Sequence, residues 1–240
     1  MDGVVAKLGD GIKDRLKLLI LDVTSDASVQ TALVTVKKEH GKIHGLVNNA
    51  GGFAPDAKSM VDLNTYGVTR MCEAFAPIIE DGGRIVQVRC ESLTTYCTAF
   101  FQVSSGAAPM FVEKCSEEMK KFCVKKDVTW QEVEEKLLQS WLDIKESAPE
   151  SERDAALEAK GFGPMSDIGA YGLSKAAVNC YTMVLASRFP KITSTSCSPG
   201  FVETDLTQGF ATRSGKTPAE MGMISVDQVQ QCHHQYRTIM

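Results

Sequence analysis

Four strand-length runs alternating with helical stretches constrain this chain more than any other feature. Lys17 to Val23 (KLLILDV) is a short apolar run that reads as a buried parallel strand, and Ile43 to Val47, Arg84 to Val88 (RIVQV) and Ile192 to Cys197 read as further strands. Ser25 to His40 carries Val29, Leu33 and Val36 on one helical face. Lys58 to Ile79 reads as a helix ended at Gly82-Gly83, and Ile168 to Ser187 as a long helix. Such alternation predicts an α/β chain built on a doubly wound parallel sheet. Asn48-Asn49-Ala50-Gly51-Gly52 and Ser198-Pro199-Gly200 are loop signals at the carboxyl ends of two strands, where open α/β sheets bind ligands.

Composition narrows the function classes. A chain of 240 residues is long enough for a single large domain with a substantial core. The formal net charge of -4 leaves no basic patch for nucleic acid. No apolar stretch approaches the roughly 20 residues of a membrane helix. Met1 to Asp10 lacks the apolar block of a signal peptide, so a cytoplasmic protein is expected. The eight cysteines are scattered without a CxxC pair and the four histidines have no finger spacing, so metal is not expected and reduced thiols are.

Residues 106–166 read as a helical insertion. Thr129-Trp130-Gln131-Glu132 is a capping box opening a helix with the apolar stripe Val133, Leu137, Leu138, Trp141 and Leu142, a packing face. Residues 146–160 read as a solvated excursion.

Tyr171 and Lys175 lie four apart on the expected long helix, so their side chains share one face. A phenol titrates near pH 10, and an ammonium held beside it favours the phenolate and brings proton exchange toward neutral pH. Tyr-x-x-x-Lys alone is a weak signal that also fits an ordinary helix surface. Its company is what matters: Asn48-Asn49-Ala50-Gly51, Asn64 in the next helix, Val103-Ser104-Ser105-Gly106, and Pro199-Gly200 with Thr204-Asp205. In this order these elements resemble the short-chain dehydrogenase/reductase family.

The resemblance implies a Rossmann-like fold and hydride chemistry with a nicotinamide cofactor. Tyr171 would be the general acid at the carbonyl oxygen, and Lys175 would hold the nicotinamide ribose and depress the Tyr171 pKa. Ser105 would position the substrate oxygen, and Asn64 would support a proton relay to Lys175. Asn48, Ala50 and Gly51 would line the cofactor cleft together with Tyr171 and Lys175. Asp22 and Val23 match positions that touch adenine, and Pro199, Gly200 and Thr204 the loop that meets the carboxamide. Ser105 and Tyr171 lie 66 positions apart, and the stretch between them holds a run similar to the helical insertion of monomeric carbonyl reductases. That group implies NADP, with NAD as the alternative, a small-molecule carbonyl substrate, and a monomer.

The chain also departs from the family. No glycine-rich TGxxxGxG or GxGxxG turn occurs, and Lys17 to Val23 corresponds to the family's third strand. The sheet is therefore expected to be incomplete, lacking the first two strands and the last, the polar tail VDQVQQCHHQYRTIM included. Lys17 to Val23 should then lack a neighbour and Ile43 to Val47 present a bare edge. Deleting residues 88–102 gives RIVQVSSGAAPM, the family's strand-into-serine pattern, so that stretch reads as a translated intron or as a loop insertion. In the latter case either Ile85 to Val88 or Phe100 to Val103 would supply the strand that presents Ser105. A non-catalytic fragment with an interaction role is the alternative to an enzyme.

Overall fold

The computed structural model describes residues 15–88, 107–165, 169–197, 201–204, 207, 212 and 215–225. Ser105, Pro199, Gly200, the stretch 89–102 and the polar tail from residue 226 lie outside the described residues.

Among the described residues, the sheet has three strands, all parallel: β1 (Ile43–Asn48), β2 (Ile79–Val88) and β3 (Thr193–Cys197), with β2 in the centre. Leu46 pairs with Ile85 and Asn48 with Gln87, while Gln87 pairs with Ser196 on the other side. Ile85 to Val88 thus lies in the central strand, while Phe100 to Val103, the other candidate for presenting Ser105, lies outside the described residues. Burial alternates along β1, with Leu46 and Asn48 covered and Val47 63% exposed. That face of the sheet edge is bare among the described residues.

Helix α1 (Asp26–His40) starts where the Ser25 side chain accepts from the Ser28 N–H and stops at Gly41, whose φ of 70° suits only glycine. Asp26 at its start and Lys37, Lys38 and His40 at its end oppose the helix dipole. Helix α2 runs through Ala57–Val61, a π turn at Asp62–Tyr66, and Gly67–Phe75. It gives way to a 3-10 turn at Ala76–Ile78, where Pro77 lacks an N–H to continue the α-helical ladder. The expected stop at Gly82-Gly83 is thus corrected: both glycines sit within β2. A side chain on Gly83 would come within 2.7 Å of the His44 carbonyl oxygen, so glycine there permits the strands to approach.

Residues 107–165 are largely helical, as α3 (Ala107–Glu113), α4 (Glu117–Cys123), α5 (130–147, with a π turn at Glu134–Gln139) and α6 (Arg153–Ala159). The capping box is present: the Glu132 N–H donates to Thr129 Oγ1 at 3.2 Å and the Thr129 N–H to Glu132 Oε2 at 2.9 Å. The stripe of α5 is core, since Val133, Leu137, Leu138, Trp141 and Leu142 are all buried. Residues 146–160 are not wholly a solvated excursion, because Leu157 is fully buried and anchors α6 to that core.

Helix α7 (Gly169–Arg188) is the centre of the molecule, burying Leu173, Ala177, Val178, Tyr181 and Leu185. Each large apolar side chain so buried contributes roughly 1.5–3 kcal/mol. Trp130 joins the helical region to this frame, edge-on to Tyr181 of α7 at 5.1 Å and to Tyr66 of α2 at 6.1 Å.

One expected strand does not form. Lys17 to Val23 has no hydrogen-bonded partner strand among the described residues, and Leu18, Leu19, Ile20 and Leu21 are all substantially exposed. A strand exists only through its ladder. The run instead ends in a turn, where Asp22 Oδ1 accepts from the Thr24 N–H and hydroxyl at 2.9 and 2.7 Å.

Candidate active site

The site is built where the π turn of α2 meets the first turns of α7. A π turn inserts one residue into the helical ladder and re-aims a side chain, a device frequent at functional sites. Here it leaves the Asn64 side chain free to bond back to its own helix, with Nδ2 donating to the Met60 carbonyl at 3.0 Å. The same Nδ2 donates to the Gly52 carbonyl at 2.8 Å, and the Gly52 N–H donates to Asn64 Oδ1 at 3.0 Å. Asn64 therefore clamps the loop that follows β1 against α2, and at 1% exposure it does so away from water. These bonds fix which end of the amide is oxygen.

Lys175 Nζ donates to the same Asn64 Oδ1 at 3.0 Å. Its ammonium also lies 5.1 Å from the centroid of the Tyr171 ring, a cation–π distance. Both Lys175 and Tyr171 are buried, at 6% and 7% exposure. A buried cation is costly unless its donors are used, and the Asn64 oxygen and the face of the Tyr171 ring both meet this one. Gly51 passes so close that a side chain there would meet Asn64 Oδ1 at 2.8 Å and Lys175 Nζ at 3.3 Å. Two further contacts fix α7 against its surroundings. Thr65 Oγ1 donates to the Ser174 carbonyl at 3.0 Å, and Gly172 lets α3 approach, since a side chain there would lie 2.8 Å from the Ala107 oxygen.

Of the expected residues, the structure brings together Asn64, Gly51, Tyr171 and Lys175. Ala50 is exposed beside them. Asn48 turns inward instead, its Nδ2 donating to Cys72 Sγ at 3.2 Å beneath the sheet end. Gln87 Nε2 meets the same sulfur at 3.5 Å, and burial pushes the Cys72 thiol up to about 11, so it is neutral. Asp22 is taken up by its turn, where the Thr24 hydroxyl holds its carboxyl below the usual range. Val23 packs over Gly67 of α2 and accepts from Arg70. Thr204 is exposed on a separate loop, its N–H donating to Thr207 Oγ1.

Two residues escaped the sequence reading. Gly52 supplies both backbone partners of Asn64, and Phe53 stacks on Tyr171 with ring centroids 4.6 Å apart and planes 26° from parallel. The only signal for either was adjacency to the Asn-Asn-Ala-Gly loop. Chemically, the arrangement can hold a phenol beside a fixed positive charge in a largely dry setting, the requirement for proton transfer to a developing alkoxide.

Known proteins resemble the chain in sequence and in fold. A family model described as short chain dehydrogenase matches residues 1–138. The chain is 27% identical over 215 residues to (+)-neomenthol dehydrogenase of Arabidopsis thaliana, covering 78% of this chain and 64% of that protein. It is 26% identical over 215 residues to carbonyl reductase (NADPH) 1 of Rattus norvegicus, covering 83% and 68%. Among solved structures, menthone neomenthol reductase from Mentha piperita superposes with a TM-score of 0.61 at 23% identity, over 82% of this chain and 75% of that one, a likeness of fold.

Proposed function

The chain belongs to the short-chain dehydrogenase family, and from that premise we propose that it reduces ketones, aldehydes or quinones to alcohols, with Tyr171 as the general acid and NADPH as the cofactor. The observation that carries the reading is the buried Lys175 ammonium, bonded to Asn64 and facing the Tyr171 ring. Names among the relatives support the carbonyl class and NADPH.

A nicotinamide bound here would supply hydride to the carbonyl carbon. Tyr171 Oη gives its proton to the carbonyl oxygen as negative charge develops there. Lys175 stabilises the phenolate left behind, and its other donors are suited to the ribose hydroxyls. Asn64 fixes the Lys175 amino group, because its Oδ1 is itself anchored by the Gly52 N–H. Ser105 would hydrogen-bond the substrate oxygen and orient it. The residues at this end fit a nicotinamide ribose; no glycine-rich turn for the pyrophosphate occurs in the sequence.

We further propose a cytoplasmic monomer without nucleic-acid or membrane partners. The helical region between β2 and α7 covers α7 through Trp130, which supports the monomer. Among the described residues no helix is long and apolar enough to cross a membrane. A second reading, a non-catalytic protein that uses the scaffold for interaction, is favoured by the exposed Val47 and Leu18–Leu21 surfaces.

Titration with NADPH, following nicotinamide fluorescence, separates the two. Binding by the folded protein, with Tyr171→Phe abolishing reduction but sparing cofactor affinity, is the expected outcome. A folded sample that fails to bind NADPH rejects the enzyme reading for this chain, and unchanged turnover in Tyr171→Phe rejects Tyr171 as the acid.

A further inference from the structure

Phe53 is the large apolar residue next to the proposed acid, and the mechanism above makes no use of it. Its ring stacks on Tyr171 at 4.6 Å, yet it remains 40% exposed. Exposed phenylalanine is unremarkable when isolated. This one adjoins a small apolar cluster in which Met60, Ala107 and Tyr171 are buried and Ala54 packs alongside. The clamp on Gly52 fixes the backbone immediately before it, so the ring is presented from a rigid loop rather than a mobile one.

We propose that Phe53 is a specificity-determining residue that selects carbonyl compounds conjugated to a flat aromatic ring. The proposal rests on the carbonyl reductase reading of the Tyr171 site. A substrate must bring its carbonyl oxygen to the Tyr171 hydroxyl. The substituents on the carbonyl carbon then lie beside the ring stacked on that tyrosine. Conjugation keeps an aryl ring coplanar with its carbonyl, so such a group can lie against Phe53 in an offset stack, whereas a puckered saturated ring cannot. Aromatic pairs contribute beyond area burial by an amount equivalent to roughly two- to tenfold in affinity. Phe53 touches the substrate but takes no part in proton transfer, so its effect should fall on discrimination.

The test compares acetophenone with cyclohexyl methyl ketone, matched in size, on the full chain in the presence of NADPH. Ligand-observed saturation-transfer NMR gives affinity and NADPH oxidation gives kcat/KM. Wild type should prefer acetophenone by about fivefold. Phe53→Ala and Phe53→Leu should both lose that preference, with thermal unfolding confirming that they fold. Wild type lacking the preference, or variants retaining it, would overturn the proposal. A preference lost in Phe53→Ala but kept in Phe53→Leu would overturn it too, since apolar bulk would then suffice. Selective binding without turnover sustains the role of Phe53 and rejects the reductase reading; turnover without selectivity does the reverse.

Discussion

Lys175 Nζ and Asn64 Oδ1 meet at 3.0 Å across 111 residues of chain, tying α7 to the π turn of α2. The bond makes one amide oxygen the shared acceptor for a buried ammonium and for the Gly52 backbone. Several expectations for substitution follow from who loses a partner and who does not.

Lys175→Met should separate activity from stability. The Met side chain keeps the apolar bulk, and Asn64 Oδ1 retains the Gly52 N–H, so that acceptor is not orphaned. Replacing a buried charge by an apolar group of similar volume is often neutral or stabilising. The unfolding temperature should hold or rise while carbonyl turnover falls by about 10²–10⁴; a parallel loss of both would assign Lys175 to the fold.

Asn64→Leu should cost stability and turnover together. It takes the Asn64 acceptor from the Lys175 ammonium and strands the Gly52 carbonyl and N–H in a buried setting. Unsatisfied buried groups of this kind cost about 1–3 kcal/mol apiece, so urea unfolding should report a loss of at least about 3 kcal/mol. Thr65→Val, which removes the single bond to the Ser174 carbonyl, should cost about 1 kcal/mol.

Gly172→Ala reverses an ordinary helix rule. Alanine favours helix over glycine by about 1 kcal/mol, but its methyl would lie 2.8 Å from both the Ala107 oxygen and Phe111 Cβ. Overpacking of that kind costs about 1–3 kcal/mol. Net destabilisation is expected, with faster amide exchange in residues 107–113; a stabilised variant would show that α3 can move aside without loss.

The capping box should confer a pH dependence. The Thr129 backbone N–H, followed by Lys125, holds the Glu132 carboxyl down at about 2, against an ordinary 4.5. A depressed carboxylate stabilises the fold fully above its unfolded value and loses that contribution as pH falls through the folded one. Glu132→Gln should therefore unfold at a lower temperature than wild type at pH 6, and the gap should narrow between about pH 4.5 and about 2. A gap independent of pH would mean that the neutral hydrogen bond, which glutamine can also make, dominates.

What was legible in the sequence was local. The helical face shared by Tyr171 and Lys175 follows from a spacing of four, and the Thr129–Glu132 box from side chains that satisfy donors within their own first turn. The strand character of Ile43 to Val47 and Arg84 to Val88 is written in short apolar runs. The helix limit at Pro77 was also available, since proline acts through its own backbone, yet Gly82-Gly83 offered a competing stop. The buried Leu157 within a charged stretch carried no periodicity to mark it.

What only the tertiary structure decided depends on partners remote in sequence. Lys17 to Val23 has a strand's composition, but no ladder forms on it among the described residues and its leucines stay exposed. Asn48 was placed by motif in the cleft, whereas packing of α2 under the sheet gives its amide to Cys72. Phe53 beside Tyr171 required β1 and α7 to be set against each other before the loop between β1 and α2 could carry the ring there. The apolar alternation and the Tyr-x-x-x-Lys spacing are properties of a chain segment, fixed by its own backbone period. Which side chain borrows which acceptor is a property of the packed state, where burial makes every unpaired polar atom expensive and so selects Asn64 as the joint between two helices.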